Sequence, residues 1–184
     1  MTSAVNEKEL IAQAKEDPNA FGVLYERYVK KIYNYVYYRV GNHQDAEDLT
    51  ARTFFRALKH IRNYKDRGVP LSAWFYRIAH NLVANWHRDR GRHPLVSLEA
   101  VSLDKSPDPP EKITMTNEEQ ARLLDAIRQL PSDRQHLLIL KFVEHLPNAE
   151  IGQIMERTEG AIKSLYHRTL VALRQDLVPP EEEE

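Results

Sequence analysis

The segment from Trp74 to Arg92, WFYRIAHNLVANWHRDRGR, predicts an amphipathic helix whose two faces differ in chemistry. One half-turn is apolar and holds Trp74, Phe75, Ile78, Ala79, Leu82, Val83 and Trp86. The other half holds Tyr76, Arg77, His80, Asn81, Ala84, His87 and Arg88, with Asn85 at the border of the apolar half. We expect Ser72 to cap this helix at its N-terminus and Gly91 to end it.

The polar face of this helix is unusual because it carries no carboxylate before Asp89. Arginine and histidine alternate there with tyrosine and asparagine, whereas an ordinary solvated face mixes both signs of charge. Such a face suits an anionic polymer with stackable bases, which indicates nucleic acid. The alternative at this point is a basic helix face that meets only solvent.

Composition limits the possible classes of protein. A chain of 184 residues forms one domain or two small ones, and 42% hydrophobic residues are enough for a core. The absence of cysteine excludes a disulfide scaffold, a cysteine zinc site and thiol chemistry. The N-terminus, MTSAVNEKEL, does not have the pattern of a signal peptide, and no apolar run reaches about 18 residues, so we expect a cytoplasmic protein.

Charge is distributed unevenly along a chain whose net charge is only −1. Between Arg52 and His93 there are ten Lys or Arg residues but only two acids, Asp66 and Asp89. From Ser97 to Gln120 there are six acids and two lysines, and the chain ends in four glutamates. We therefore expect different segments to contact different partners.

Three further helices are predicted N-terminal to the Trp74–Arg92 segment, at residues 6–16, 20–40 and 44–60. The buried stripe of the second is expected to be Phe21, Leu24, Tyr25, Tyr28, Val29, Ile32, Tyr33 and Val36. In the third, the inward residues are expected to be Ala46, Leu49, Thr53, Ala57 and Leu58, followed by Ile61. Residues 61–71 predict a loop whose Arg62, Lys65 and Arg67 are basic and whose Tyr64 can stack on a base.

The third helix also carries a second stripe at spacings of three and four residues, made of Asp45, Asp48, Arg52, Phe55, Arg56 and Lys59. An exposed phenylalanine among charges indicates a contact surface for another protein. The alternative is a solvated face on which the aromatic residue is incidental.

Residues 93–116 contain four prolines and several serines, which predicts a flexible extended linker. The linker divides the chain into domains at 1–92 and 117–178, followed by an acidic tail at 179–184. In the second domain we expect a helix over 117–130 with Leu123, Leu124 and Ile127 inside. A second helix should then be capped by Ser132 and closed by Gln135 in a capping box.

The segments NAEIGQIM and EGAIKSLYHRTLVALRQDL, separated by three residues, predict a helix-turn-helix. Gly152 allows the two helices to cross closely, and Thr158 is expected to cap the second one. Since the N-terminal half of such a helix enters the major groove, the expected base-reading residues are Glu159, Gly160, Lys163, Ser164 and His167. The fold class is therefore all-α, with two small helical domains and a helix-turn-helix in the second.

Four blocks in this order, DAEDLTARTFFRAL, WFYRIAHNLVANWHRDR, LPSDRQHLLILKF and NAEIGQIMERTEGAIKSLYHRTLVALR, resemble bacterial sigma factors of the sigma-70 family. The two-domain layout is similar to the extracytoplasmic-function (ECF) subgroup, and the resemblance extends from about residue 20 to 177. It implies a protein that binds core RNA polymerase, recognises −35 and −10 promoter elements, promotes DNA melting and directs initiation. One departure is Leu165-Tyr166, where many relatives have Arg-Leu, so phosphate contacts by the second domain are expected to be weaker.

The resemblance also implies roles for individual residues. Core polymerase would be bound by Asp45, Asp48, Leu49, Arg52, Phe55 and Arg56. The unwound −10 strand would be held by Arg62, Tyr64, Lys65, Arg67, Arg77, His80, Asn81 and Arg88. Side-chain chemistry separately indicates that Asn81, as both donor and acceptor, reads a base edge, whereas Arg88 can only hold phosphate or stack. The alternative for Asn81 is a structural group that bonds the 62–71 loop. The −35 duplex would be read by Thr158, Glu159, Gly160, Lys163, Ser164, His167 and Arg168.

The implied partners are core polymerase, through its β′ clamp and β flap, and promoter DNA that is duplex at −35 and single-stranded at −10. Relatives commonly have an anti-sigma factor, so a partner of that class remains open. No cofactor, metal or membrane insertion is implied, and the protein would associate with the nucleoid through polymerase.

Two other classes of function compete with this interpretation. A stand-alone helix-turn-helix regulator would bind duplex DNA tightly without polymerase, and a helical adaptor would leave the basic segment unexplained. An enzyme is not indicated, because the sequence has no glycine-rich phosphate loop, no HExxH and no nucleophile pattern. Run-off transcription with core polymerase distinguishes these classes.

Overall fold

The computed structural model describes residues 6–68, 70–90 and 117–178, and every regular element in those ranges is helical. The first domain consists of α1 (Glu7–Glu16), α2 (Pro18–Val40), α3 (His43–His60), a 3₁₀ turn (Ile61–Asn63) and α4 (Leu71–Asp89). The second consists of α5 (Asn117–Gln129), α6 (Ser132–Leu138), a π-helical turn (Ile139–Val143), α7 (Asn148–Met155) and α8 (Glu159–Leu177). The fold class is therefore confirmed. Gly91, the linker at 93–116 and the tail at 179–184 lie outside the described residues.

Local sequence explains where the helices of the first domain begin and end. Asp17 caps α2 by accepting a hydrogen bond from the amide of Asn19, and Pro18 occupies the first helical position, where no amide donor is needed. Gly41 ends α2 in a left-handed conformation with φ 75°. Asn42 then caps α3 by accepting a 2.8 Å hydrogen bond from the amide of Asp45.

The expected cap of α4 is wrong. The helix begins at Leu71, so Ser72 already lies inside its first turn, and the preceding residue is Pro70, which offers no side-chain cap. Proline fixes φ at a value compatible with a helix start, which explains why the helix begins two residues earlier than a cap at Ser72 would place it. The amide of Leu71 finds its acceptor elsewhere, on Glu7 of α1.

The expected capping box at α6 is also wrong, for the same reason. The helix follows Pro131 and starts at Ser132, whose hydroxyl instead accepts a 2.8 Å hydrogen bond from Arg39 of the first domain. The side-chain amide of Gln135 donates hydrogen bonds to the backbone carbonyls of Arg128 and Leu130, which precede α6. These two side chains therefore fasten α6 to its surroundings and do not cap it.

The core of the first domain is centred on Phe75 of α4. Its ring lies 5.2 Å from the rings of Tyr28 and Phe54, each reached from a different helix. Two residues expected inside are partly exposed: Tyr25 is 42% exposed and Leu58 is 38% exposed. The Tyr25 ring covers Phe54 edge-on from outside, at 4.9 Å, so it closes the core without entering it.

The helix-turn-helix of the second domain buries an apolar face of each of its two helices. Ile151 and Ile154 of α7 and Ile162 and Leu165 of α8 are all buried. The π-helical turn was not expected. Its extra residue changes the direction of the following side chains, and Phe142 is left 53% exposed.

The two domains pack against each other and share one buried cluster. Leu137 and Leu140 from α6 and the π turn join the first-domain core, and α7 lies along α4. Tyr76, expected on the polar face of α4, is therefore only 1% exposed, with its ring edge-on to Tyr35 at 5.3 Å. A helix pattern cannot show that a second domain covers a polar face. No helix in the described ranges is long and apolar enough to cross a lipid bilayer.

The turn between α7 and α8 depends on Gly152. A Cβ at this position would lie 2.6 Å from the backbone carbonyl oxygen of Arg157, which cannot move away without opening the turn. The same backbone is tied down by a 2.8 Å hydrogen bond from the Arg157 amide to the Gly152 carbonyl. The close crossing expected from the sequence is thus confirmed.

Gly152→Ala is expected to lower the free energy of unfolding by about 1–3 kcal/mol, because it overpacks a rigid backbone contact. Gly160→Ala is the matched control, since a Cβ at position 160 would meet no other described residue within 4 Å and alanine favours the helix. Urea denaturation of both variants measures the difference. Equal stability of the two variants would contradict the close-contact explanation.

Candidate nucleic-acid interface

A cavity of about 360 Å³ lies between the loop that precedes α4 and the first turns of α4. The described residues that line it are Asn63, Tyr64, Lys65, Arg67, Ala73, Trp74 and Arg77. Three of these seven side chains are cationic, two are aromatic, and none of the seven is acidic. The cavity therefore offers an aromatic wall for a base beside cations for its phosphate.

The aromatic wall differs from the expectation for Tyr64. Its side chain is only 9% exposed, and its ring lies 4.9 Å from that of Trp74, so it supports the wall instead of projecting towards a base. Trp74 was expected in the core but is half-buried and lines the cavity. The available clue was that Trp74 lies in the first turn of α4, directly after the basic loop. Arg62 is exposed on the same loop but is not one of the residues that line the cavity.

The central part of the polar face of α4 borders a cleft between the two domains. Arg77 forms a 2.8 Å ion pair with Glu156, which lies in the helix-turn-helix turn. His80 and Asn81 line a cleft of about 200 Å³ whose opposite wall belongs to the second domain. These three residues lie together beside the second domain, where His80 is half-buried while Arg77 and Asn81 stay exposed.

Arg88 lies farther along α4 and is exposed. Its guanidinium donates a 2.9 Å hydrogen bond to the side-chain oxygen of Asn85. Just beyond it, Arg90 lies over the Trp86 ring at 4.8 Å. This end of α4 therefore presents two cations outside the covered cleft.

The junction between the domains contains buried polar groups. The hydroxyl of Tyr35 is hydrogen-bonded to Nδ1 of His136, and the Arg39 guanidinium donates to that hydroxyl at 3.2 Å. The His80 ring lies edge-on to the His136 ring, with 4.3 Å between centroids. The contact combines groups from α2, α4 and α6, so neither domain forms it alone.

Burial lowers the pKa of His136 well below its usual value, and the neighbouring His80 and Arg39 lower it further. Burial and Arg39 also lower the pKa of His80, while Asp133 acts in the opposite direction. The junction therefore favours two neutral imidazoles. Charged groups that line the same cleft are Arg77 on α4, Asp133 on α6, and Glu156 and Arg157 after α7.

The stripe on α3 is an exposed surface with one aromatic residue. Asp48 and Arg52 are paired at 3.6 Å along the helix, and both side chains are more than half exposed. Phe55 is 68% exposed, and Arg56 is also on the surface. The expected contact surface is therefore available for a partner.

Two residues expected in that surface have other roles in this structure. Leu49 is 1% exposed and packs in the core, so in this structure it lies beneath the exposed stripe. The Asp45 carboxylate is 3.0 Å from the Arg90 guanidinium, and its side chain is only 19% exposed. Asp45 therefore connects α3 to the end of α4.

The second helix of the helix-turn-helix, α8, presents its expected polar face. The hydroxyl of Thr158 caps it by accepting from the Ala161 amide at 3.1 Å, which confirms that prediction. Lys163 is paired with Glu159 at 3.1 Å on the outer surface. The remaining expected readers that are exposed are Gly160, Ser164, His167 and Arg168.

The departure at Leu165-Tyr166 has a packing explanation. Leu165 is 6% exposed, and the Tyr166 ring is half-buried at 6.1 Å from the ring of Phe142. Lys141 lies over the Tyr166 ring at 5.8 Å. Both positions therefore join α8 to the rest of its domain and contribute no charge to its exposed face.

Two family models match the chain. One, described as Sigma-70 region 2, matches residues 24–93, and the other, described as Sigma-70, region 4, matches residues 120–173. These ranges include α4 with its preceding loop and the helix-turn-helix, respectively.

Curated relatives match over most of the chain. The ECF RNA polymerase sigma factor BldN of Streptomyces coelicolor is 38% identical over 167 residues, which is 90% of this chain and 63% of BldN. The ECF RNA polymerase sigma factor SigW of Bacillus subtilis is 31% identical over 182 residues, which is 92% of this chain and 96% of SigW.

Solved structures share the fold. CnrH, in complex with the cytosolic domain of CnrY, gives a TM-score of 0.65 at 20% identity, covering 91% of this chain and 94% of CnrH. The sigma factor RpoE from Bartonella quintana, in complex with the anti-sigma factor NepR, gives 0.60 at 21% identity, covering 85% of this chain and 96% of RpoE.

The buried histidines predict a pH-dependent domain contact. Since their pKa values are lowered in the packed arrangement, packing is favoured above the usual histidine pKa of 6.5 and is weakened as pH falls below it. Because the chain has no cysteine, fluorophores can be attached at Lys59→Cys and Gln175→Cys to measure the distance between domains. We expect energy transfer to decrease below about pH 6.5 while far-ultraviolet circular dichroism stays constant.

His136→Phe is the matched variant, since it keeps an aromatic ring but removes one titrating group. It is expected to flatten the pH dependence of energy transfer. Constant transfer in the unsubstituted chain, or loss of helix content in parallel with transfer, would contradict the role assigned to the histidines.

Proposed function

This chain belongs to the sigma-70 family of RNA polymerase sigma factors, in the ECF subgroup, and we propose that it directs promoter-specific transcription through the residues described above. The observation that carries the proposal is the cationic, aromatic-walled cavity before α4, which adjoins the helix that bears the basic polar face. The first domain would bind the −10 element and core polymerase, and the second would bind the −35 element.

At −10, the cavity would hold a base that has left the DNA stack. Extruding a base costs a few kcal/mol, and stacking on an aromatic side chain returns about 1–3 kcal/mol per base. Lys65, Arg67 and Arg77 add attraction to the phosphates. Capturing the non-template strand favours the open promoter, so melting requires no hydrolysis by this chain.

At −35, the exposed face of α8 would enter the major groove of the duplex. Lys163, Ser164 and His167 are donors and acceptors on that face, while the capped N-terminus at Thr158 would approach a phosphate. A good pair of hydrogen bonds to a base edge discriminates by about 1–3 kcal/mol.

Promoter binding would require the two domains to separate. His80 and Asn81 line a cleft whose opposite wall is the second domain, and Glu156 is paired with Arg77, so a DNA strand along α4 competes with these contacts. The contact is partly polar and contains buried imidazoles, which makes its separation by a stronger partner feasible. Core polymerase, which would bind the exposed stripe on α3, is the proposed partner that favours separation.

Further partners follow from the family by analogy. RpoE is solved with the anti-sigma factor NepR, and we include a protein of that class among the partners of this chain. The β′ clamp and β flap remain the proposed polymerase contacts. The chain would act in the cytoplasm, on the nucleoid through polymerase, and without catalytic chemistry of its own.

A stand-alone helix-turn-helix regulator is the other candidate function. It is not favoured, because residues 24–93 match Sigma-70 region 2 and contain both the α3 stripe and the cavity. A regulator that used only α7 and α8 would need neither feature.

Run-off transcription with core polymerase tests the proposal and the α3 surface together. The unsubstituted chain should give promoter-dependent transcripts, whereas the double variant Asp48→Arg, Arg52→Asp should not assemble with core polymerase. The swap preserves an ion pair along α3, so melting temperature should change little. Transcripts from the double variant at the normal level, or a loss of fold, would count against the assignment of this surface.

The α8 face has its own test on two templates. Lys163→Ala with His167→Ala should reduce transcription from a duplex promoter that has a −35 element, by about 10-fold or more. The same variant should have much less effect on a template already opened at −10. Gln175→Ala is the control, since Gln175 is exposed near the C-terminal end of α8, away from the residues expected to read bases. Equal losses on both templates would contradict readout of the −35 duplex.

A further inference from the structure

Helix α1 lies before the segment that matches Sigma-70 region 2, yet it contacts the elements that form the base cavity. The match begins at residue 24, whereas α1 spans Glu7–Glu16. Leu10, Ile11 and Ala14 of α1 are buried, and the helix packs on both α2 and the 3₁₀ turn that begins the basic loop. Neither the proposed polymerase contacts nor the proposed promoter contacts involve this helix.

One side chain of α1 supplies the cap that α4 lacks. The carboxylate of Glu7 accepts a hydrogen bond from the backbone amide of Leu71, the first residue of α4, at 3.3 Å. Pro70 offers no side-chain cap, so this amide depends on a residue 64 positions earlier. A carboxylate at a helix N-terminus is also favoured by the helix dipole.

The second oxygen of the same carboxylate accepts from the hydroxyl of Tyr28. The Tyr28 ring lies 5.2 Å from that of Phe75, which lies 5.6 Å from that of Trp74. Trp74 is the more exposed of the two aromatic residues in the cavity wall. Glu7 therefore bonds both the first residue of α4 and Tyr28. The ring of Tyr28 begins a row of packed aromatic rings, Tyr28, Phe75 and Trp74, that ends at the cavity.

A weaker contact reaches the middle of the loop. Lys8 lies 3.7 Å from the carboxylate of Asp66, and Asp66 in turn accepts a 2.9 Å hydrogen bond from the amide of Gly68. Gly68 has φ 72°, a conformation that favours glycine and that the Asp66 bond helps to define. The first turn of α1 thus contacts the loop at Asp66 and at its end.

We infer that Glu7 is a positioning residue for base selection at −10. It ties the first residue of α4 to the first turn of α1, while the neighbouring Lys8 ties that turn to Asp66 of the loop. The first turn of α1 thereby sets the position of α4 relative to the loop, and residues from both line the cavity. Without it, the cavity keeps its lining residues but loses their fixed spacing. The inference rests on the proposed −10 function of the cavity and adds a residue that does not touch DNA.

A purely structural role for Glu7 predicts a different result. It would lower stability and reduce transcription from every promoter by the same factor. A positioning role changes the ratio of transcription between −10 sequences at temperatures well below melting. The ratio is therefore the decisive measurement, since uniform loss of folded protein cancels from it.

The experiment uses the full chain with core polymerase and a library of −10 variants. Glu7→Ala should reduce the ratio of transcription between the preferred −10 sequence and single-base variants by about 10-fold. Glu7→Gln keeps the volume and one acceptor oxygen, so its ratio should lie between those of Glu7→Ala and the unsubstituted chain. Glu9→Gln is the matched control, since Glu9 lies in the same turn of α1 and is exposed.

Ratios unchanged in Glu7→Ala, or changed equally in Glu9→Gln, would overturn the inference. Arg67→Ala and Trp74→Ala in the same assay test the proposed cavity itself. If these two variants leave the −10 preference unchanged, the proposed −10 function fails. If they change it and Glu7→Ala does not, only the positioning role fails.

Discussion

The burial of α4 on two sides is the interaction on which the rest of this structure depends. On one side Phe75 packs between Tyr28 and Phe54 and holds the first domain together. On the other side Tyr76 is covered by the second domain. Hydrophobic burial of this kind stabilises in proportion to the area removed from water. A single helix therefore organises both the fold of the first domain and its contact with the second.

This arrangement places two competing functions on one surface. The groups expected to hold the unwound strand, Arg77, His80 and Asn81, are the same groups that face the second domain. The contact is polar at its rim and includes neutral histidines whose protonation disfavours it. Such a contact can hold the domains together in the free protein and still yield to DNA and polymerase, because neither partner must disrupt the Phe75 core.

The errors in the sequence interpretation have identifiable causes. Ser72 and Ser132 have the residue type of helix caps, but the helix at each is already started by a proline just before it. Trp74 was expected in the core but lines the cavity beside Tyr64, because the periodicity of α4 does not include the loop that packs beside its first turn. In contrast, the cap at Thr158 was predictable, since it depends on residues within one short segment. The close crossing of α7 and α8 was predictable for the same reason.

The sequence by itself determined the helices, the helix-turn-helix, the basic segment and the resemblance to a family, because each depends on periodicity or on short-range chemistry. Only the tertiary structure decided which polar residues are covered and which side chains position the cavity. Glu7 reaches Leu71, and Tyr35 reaches His136, across long stretches of chain. Contacts between such distant residues leave no periodic pattern in the sequence, since they depend on how whole helices pack.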